Sequence, residues 1–251
     1  MRLTDTHAHL DACAEKPERL VARARAAGVG RIVAIGSGLA SARTATAIAA
    51  REDGVYAALG IHPHQAAEPD AHRLEELREL LTEERAVAVG EIGLDFYRDR
   101  APHDRQQRLF VQQLELAAAV SKPVVIHTRA AAAETAAALD GFGGTVVLHC
   151  FSEPALLPVA LERGYFVSFA GNLTYPRAEE LREAARLVAP ERLLVETDSP
   201  YLAPQPRRGR PNEPANLVHT VTALAQARGS DEVELAETLD ANATAAFSLP
   251  G

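Results

Sequence analysis

Asp5-Thr6-His7-Ala8-His9 ends the first apolar segment of the chain and sets the pattern for the rest. Side chains on a strand alternate between two faces, so His7 and His9 are expected on the same face. Four later apolar segments also end at a side chain that can bind a metal: Glu91, His127, His149 and Asp198. Imidazole and carboxylate groups at five strand ends predict a metal site at one rim of a parallel sheet.

Eight apolar, β-branched segments alternate with stretches rich in Ala, Leu, Glu and Arg, which is the pattern of a parallel sheet covered by helices. The predicted strands lie near residues 2–7, 31–36, 55–61, 86–91, 123–127, 145–150, 165–169 and 192–197. The predicted helices lie near residues 18–27, 40–51, 71–81, 105–120, 154–163, 179–187, 214–228 and 231–246.

This alternation over 251 residues predicts a (β/α)8 TIM barrel, with residues 1–251 as a single domain. The metal site is expected at the C-terminal rim of the strands, at the ends of strands 1, 4, 5, 6 and 8. A doubly wound open sheet is the alternative fold. It usually carries a glycine-rich phosphate loop after the first strand, where this chain has Asp-Thr-His-Ala-His.

Composition limits the class of protein. The net charge of -8 opposes broad, nonspecific binding to duplex DNA, but it permits an enzyme that contacts a few phosphates. No apolar run approaches the roughly 20 residues of a membrane span, and the N-terminus does not read as a signal peptide. The two cysteines, Cys13 and Cys150, agree with a reducing compartment. We therefore expect a cytoplasmic protein with no membrane partner.

The first predicted metal position uses His7 and His9, which are neighbours on one face of strand 1. Closing the barrel would bring Asp198 from strand 8 beside them. Asp198 could then complete the ligands of that ion, or it could act as a catalytic base that accepts a proton from water.

The second predicted position uses His127 and His149 from neighbouring strands, with Glu91 bridging the two ions through its two oxygens. Many barrel hydrolases bridge their metals with a carboxylated lysine instead. The only lysines here are Lys16, at the start of a helix, and Lys122, at the entry end of strand 5. Two divalent cations are therefore expected, and the mixed donor set leaves Zn²⁺, Mg²⁺ and Mn²⁺ open.

Substrate contacts are expected on the same rim. His62 and His64 follow strand 3, although the alternative is a turn held by Pro63. Arg129 is a candidate for a bidentate phosphate contact, and the alternative is an ion pair with a carboxylate such as Asp95.

The loop after strand 8 supplies further candidates. It carries Arg208 between two other arginines, Arg207 and Arg210, which could follow a nucleic-acid backbone or could be solvated. Three rim aromatics could stack on bases or pack the loops, and they are Phe96, Tyr97 and Tyr201. The histidines at positions 72, 103 and 219 are interpreted as structural or surface residues.

Seven motifs in order resemble those of the TatD family of metal-dependent deoxyribonucleases, within the amidohydrolase-like barrels. They are Asp5-Thr-His-Ala-His-Leu-Asp11, Gly60-Ile-His-Pro63, Gly90-Glu-Ile-Gly-Leu-Asp-Phe-Tyr97, Pro123-Val-Val-Ile-His-Thr-Arg129, His149-Cys-Phe-Ser152, Glu196-Thr-Asp-Ser-Pro-Tyr-Leu-Ala-Pro204 and Arg208-Gly-Arg-Pro-Asn-Glu-Pro214. The resemblance spans nearly the whole chain. It implies metal ligands at the same six positions, His7, His9, Glu91, His127, His149 and Asp198, which agrees with the strand-end prediction.

The resemblance also implies hydrolysis of DNA, often from the 3′ end of single strands. The mechanism we expect is attack by water activated between two metals. Glu153 departs from the family, which usually has glycine there, and its negative charge near strand 6 opposes a polyanionic substrate. The alternatives are hydrolysis of another ester or amide, such as an aminoacyl-tRNA ester or a cyclic amide, and a non-enzymatic metal-dependent scaffold. We expect a monomer or a weak oligomer.

Overall fold

The structure is a computed structural model that describes residues 2–250. Eight strands form one sheet in the order β1 to β8, and every neighbouring pair is parallel. The strands are β1 Leu3–Ala8, β2 Val29–Gly36, β3 Val55–Leu59, β4 Ala86–Asp95, β5 Val124–Arg129, β6 Val146–Leu148, β7 Phe166–Phe169 and β8 Leu193–Val195. The order of strands confirms the predicted (β/α)8 barrel and rejects the open-sheet alternative.

Each strand is followed by an α-helix on the outside of the sheet, and one further helix comes last. They are α1 Pro17–Ala26, α2 Leu39–Arg51, α3 Leu74–Leu80, α4 His103–Ala119, α5 Ala132–Ala138, α6 Leu157–Arg163, α7 Glu179–Leu187, α8 Leu217–Arg228 and α9 Glu232–Phe247. Helices α6 and α8 end at Gly164 and Gly229, whose φ angles of 65° and 63° suit glycine at a helix C-terminus. Within residues 2–250, no helix has both the length and the apolar character needed to cross a membrane.

The sheet closes on itself just beyond the ends of β1 and β8. The backbone N–H of Asp198 donates to the carbonyl of His7 at 2.9 Å, and the N–H of His9 donates to the carbonyl of Ser199 at 2.8 Å. These two bonds place Asp198 beside the histidine pair of β1, as the sequence predicts for a closed barrel.

Helix α9 seals the N-terminal end of the barrel. Its residue Phe247, with Leu249 just beyond it, packs against Val33 and other alternating side chains of the strands. The buried guanidinium of Arg31 donates to Asp240 of α9 at 2.7 Å. The opposite end, where the strands finish, is left for the polar cluster described below.

Two local features differ from the sequence prediction. Helix α5 was not predicted, because its sequence, Ala-Ala-Glu-Thr-Ala-Ala-Ala, offers no large apolar side chains to mark a buried face. Strand β4 continues for four residues beyond Glu91, so this carboxylate lies within the strand and Asp95 lies at its end. Glu91 nevertheless points into the barrel mouth, as its contacts show.

Candidate metal centre

All six predicted metal ligands meet at the C-terminal mouth of the barrel. Strand β1 and the residue after it supply His7 and His9, while Glu91 and His127 belong to β4 and β5. The last two, His149 and Asp198, lie just past β6 and β8. Most of these side chains are buried, and the most exposed one, His127, is 18% exposed. Residues up to 191 positions apart in the chain therefore share one pocket.

Four atoms form a cage on one side of Glu91. They are His7 Nε2, His9 Nε2, Glu91 Oε2 and Asp198 Oδ1, and the separations that join each imidazole to the other atoms range from 3.3 to 3.8 Å. A tetrahedral ion with ligands at about 2.1 Å separates its ligand atoms by about 3.4 Å. This donor set therefore fits a divalent cation.

A second group of nitrogens surrounds the other oxygen of the same carboxylate. Glu91 Oε1 lies 2.8 Å from His127 Nδ1, 2.9 Å from His149 Nε2 and 3.3 Å from His62 Nε2. These are hydrogen-bond distances, shorter than those in the first cage. Each oxygen of Glu91 thus faces its own set of imidazoles, which is the arrangement expected of a carboxylate between two ions.

The carboxylates and imidazoles of the cluster shift one another's pKa values. Burial in itself raises the pKa of Glu91, but the surrounding imidazoles lower it well below its usual 4.5. Burial in itself lowers the pKa of His149, but Glu91 and Glu196 raise it well above 6.5. Metal ligation requires an imidazole lone pair, so cations that bind here must displace protons.

His62 differs from His127 and His149, the two imidazoles that share its oxygen of Glu91 and have raised pKa values. Burial lowers its pKa to about 4, so its ring is neutral at physiological pH. Its Nδ1 accepts the backbone N–H of His64 at 3.2 Å, which leaves the ring proton on Nε2. Nε2 is the atom that faces Glu91, and with that proton it is a hydrogen-bond donor rather than a ligand.

The other predicted substrate residues have distinct positions. His64 Nε2 lies 2.8 Å from Asp95 Oδ2, and the guanidinium of Arg129 lies 4.1 Å from the centre of the Tyr97 ring. The ion pair between Arg129 and Asp95, given above as the alternative, is absent from the contacts of residues 2–250. Asp95 contacts His64 and His127 instead. Arg129 therefore remains free to contact an anion from its place on Tyr97.

The rim on the β8 side is more open. Tyr201 is 55% exposed, and its ring centre lies 5.7 Å from that of His9. Arg208 donates to the hydroxyl of Tyr175 at 2.8 Å and also lies over that ring. Phe96, predicted as a possible stacking surface, is instead covered by His103, with ring centres 3.8 Å apart.

Glu153 has a local structural contact. Its carboxylate accepts the backbone N–H of Ala130 at 2.6 Å, and Ala130 has a positive φ of 53° in the loop after β5. The charge at position 153 is therefore partly used to hold the loop that follows Arg129.

Sequence reasoning missed two buried carboxylates that support the cluster. Asp95 contacts His127 Nε2 at 3.2 Å, and Glu196 contacts His149 Nδ1 at 3.0 Å. A signal was present for both. Asp95 follows Glu91 by an even number of residues on β4, which favours the same face, and Glu196 precedes Asp198 by two residues in the segment just past β8.

A family model described as TatD related DNase matches residues 4–248. The chain belongs to the TatD family. It is 41% identical to an uncharacterized metal-dependent hydrolase, TatD, of Mycobacterium tuberculosis, and 98% of each chain is covered. It is 38% identical to the 3′-5′ ssDNA/RNA exonuclease TatD of Cronobacter sakazakii, over 92% of this chain and 91% of the relative.

The fold comparison agrees with the sequence comparison. The crystal structure of YJJV, a TatD homologue from Escherichia coli K12, superposes with a TM-score of 0.93 and 32% identity, covering 99% of each chain. The family resemblance found in the motifs is confirmed. The chain is a TatD-type metal-dependent hydrolase.

Proposed function

We propose that this TatD-type hydrolase cleaves phosphodiester bonds of DNA, removing nucleotides from the 3′ end of single strands. The observation that carries the proposal is the position of Glu91, with one oxygen in a cage with His7, His9 and Asp198 and the other among histidines. The exonuclease names of relatives that are 38% identical support the nucleic-acid substrate.

In this proposal the six predicted ligands would hold two divalent cations, and Glu91 would contribute to both positions. His7, His9 and Asp198 would hold the first ion, and His127 and His149 the second. When bound, the cations would supply Lewis acidity, which lowers the pKa of water and stabilises charge on phosphoryl oxygens. The imidazoles fit Zn²⁺, while the carboxylates and a phosphate substrate fit Mg²⁺ or Mn²⁺.

Asp198 is the proposed general base. Burial in itself raises the pKa of its carboxyl, but the hydrogen bond with His9 and the charges of His7 and His149 lower it below 3.8. Asp198 is therefore ionised at neutral pH and able to accept a proton from the attacking water. A well-placed base contributes about 10²–10⁴-fold to the rate.

Two groups on the rim are proposed to bind the phosphate. His62 would contact the phosphate from the rim, while its neutral ring keeps the Nε2–H directed at Glu91 Oε1, 3.3 Å away. Arg129 would supply a charged, bidentate contact from its position over Tyr97. Tyr201 and Arg208 lie on the rim and would contact the DNA strand further from the reacting bond. His64 would contribute to substrate binding through its neighbour His62.

The test uses protein that is stripped with a chelator and reloaded separately with Zn²⁺, Mg²⁺ or Mn²⁺. Single-stranded DNA labelled at either end is the main substrate, and RNA and an aminoacyl-tRNA ester form the comparison panel. We expect shortening from the 3′ end that depends on the restored metal. Cleavage of the ester but not of DNA would favour the alternative function and reject this one.

Asp198→Asn should reduce turnover by about 10²–10⁴-fold. The matched control is Asp140→Asn, because Asp140 makes an exposed ion pair with Arg163 and lies away from the cluster. Near-wild-type turnover by the Asp198 variant would contradict its proposed role as base.

A further inference from the structure

The two imidazoles predicted to hold the second ion are turned in opposite directions. His127 faces Glu91 with Nδ1, at 2.8 Å, whereas His149 faces it with Nε2, at 2.9 Å. The far nitrogen of each ring points at a different buried carboxylate. His127 Nε2 lies 3.2 Å from Asp95 Oδ2, and His149 Nδ1 lies 3.0 Å from Glu196 Oε1.

We propose that Asp95 and Glu196 are positioning residues that fix opposite tautomers in His127 and His149. A carboxylate accepts a proton-bearing nitrogen, so each would keep the ring proton on the far side and leave the lone pair facing Glu91. His127 would then be protonated on Nε2 and His149 on Nδ1. This inference rests on the proposed metal centre, and it concerns the carboxylates behind the ligands rather than the ligands themselves.

The two carboxylates differ in how many of their oxygens are in use. Asp95 Oδ1 accepts the backbone N–H groups of Tyr97 and Arg98, at 3.1 and 2.7 Å. Its Oδ2 faces both His64, at 2.8 Å, and His127. Both oxygens of Asp95 are therefore committed as acceptors.

Glu196 uses only one oxygen. Oε1 binds His149, while Oε2 is buried and has no hydrogen-bond partner among residues 2–250. The residue is fully buried, with 0% exposure. Replacing this carboxylate with an amide can put the NH₂ group in the place of the unused oxygen, so that no existing hydrogen bond is broken.

This difference predicts unequal effects of two substitutions that each remove one charge. In Asp95→Asn, the amide oxygen must serve Tyr97 and Arg98, so the NH₂ group faces His127 Nε2. That contact needs an unprotonated Nε2, which moves the ring proton to Nδ1 and blocks the lone pair that faces Glu91. The structure thus predicts the wrong tautomer at His127.

In Glu196→Gln, the amide oxygen can stay on His149 Nδ1–H and the NH₂ group can take the unused position. The tautomer of His149 is preserved. Glu196→Leu removes the acceptor altogether. Loss of such a partner typically weakens metal binding by about 10–100-fold. We expect a loss of this size for Asp95→Asn and Glu196→Leu, and a clearly smaller loss for Glu196→Gln.

Two measurements on the full chain test the inference. Long-range ¹H–¹⁵N NMR of Zn²⁺-loaded wild type reads the protonated nitrogen of each histidine directly, and we expect Nε2–H at His127 and Nδ1–H at His149. Calorimetric Zn²⁺ affinities of the three variants follow, with circular dichroism to check folding. If Asp95→Asn does not fold, the wild-type spectrum and the comparison of Glu196→Gln with Glu196→Leu still test the inference.

The same tautomer at both histidines, or equal Zn²⁺ affinities for Asp95→Asn and Glu196→Gln, would overturn the inference. A wild-type chain that binds no Zn²⁺ would overturn it together with the metal centre. Neither measurement uses nucleic acid. Zn²⁺ binding with the expected tautomers but without DNA cleavage would therefore support this inference while rejecting the proposed nuclease function.

Discussion

Replacing Glu91 with glutamine should destabilise the metal-free protein in a manner that depends on pH. The Glu91 side chain is only 4% exposed and lies 2.8–2.9 Å from two imidazoles, those of His127 and His149. Unit charges about 4 Å apart attract by about 4 kcal/mol at an effective dielectric constant of 20, and breaking a buried pair costs about 3–5 kcal/mol. Glu91→Gln should therefore lower the free energy of unfolding by about 3–5 kcal/mol at pH 6.

The sign of the pH dependence follows from His149. Burial lowers its pKa, but Glu91 and Glu196 outweigh burial and raise the pKa well above 6.5. A raised pKa in the folded state gives stability that is complete below 6.5 and is lost as pH rises through the folded-state value. The cost of Glu91→Gln should accordingly shrink at alkaline pH, where the imidazoles are neutral.

The assay is urea unfolding of chelator-treated protein at several pH values between 6 and 10. The chain has no tryptophan, so far-ultraviolet circular dichroism is the suitable signal. Glu162→Gln, at an exposed position on α6, is the matched control and should change stability by less than about 0.5 kcal/mol. A cost for Glu91→Gln below about 1 kcal/mol at pH 6, or a cost that does not change with pH, would refute the reasoning.

Two further predictions concern the rim and the sealed end of the barrel. Arg129→Gln should raise KM for single-stranded DNA about tenfold or more, with a smaller change in kcat, because a charged hydrogen bond contributes about 1.5–3 kcal/mol. Steady-state kinetics check this, and an unchanged KM would contradict it. Asp240→Ala should lower the free energy of unfolding by about 3–5 kcal/mol at pH 7, since it leaves the buried charge of Arg31, 4% exposed, with neutral partners such as Thr4 and Thr244 but without its carboxylate. Burial in itself raises the pKa of Asp240, but Thr4 and Arg31 lower it below 3.8. The cost of the substitution should therefore shrink as pH falls through the folded-state pKa of Asp240. Thermal melts at pH 7 and pH 3 measure the difference.

Most of the barrel could be predicted because its buried strands are long apolar runs separated by amphipathic helices. The end of α7 at Leu187 and the start of β3 at Val55 agree with the sequence prediction. Helix α5 could not be predicted in this way, since a run of alanines has high helix propensity but no periodic contrast between large and polar side chains. The extension of β4 to Asp95 was also missed, because Glu91 and Gly93 interrupt the apolar pattern of the strand.

The convergence of the six candidate ligands could be predicted from strand alternation and from the closure of a parallel barrel. The roles of the surrounding polar groups could not, because they depend on which nitrogen of a ring faces which neighbour. His62 shows the difference. Its position on the rim follows from the sequence, but its Nε2–H depends on the bond from His64 N–H to its Nδ1, which is set by the turn after β3.

The mouth of the barrel concentrates buried charge. Five imidazoles and Glu91 share a few ångströms, with Asp95 and Glu196 behind them. Helix α9 and the Arg31–Asp240 pair close the far end of the barrel, where strand side chains such as Val33 and Phe247 of α9 form an apolar interior. Because the strands are held from that end and by the outer helices, their C-terminal ends can carry charged groups that need bound protons or bound cations to balance them. A metal-binding site built this way should be more stable to unfolding with its ions than without them, and the gain should grow with pH as fewer protons compete for the imidazoles.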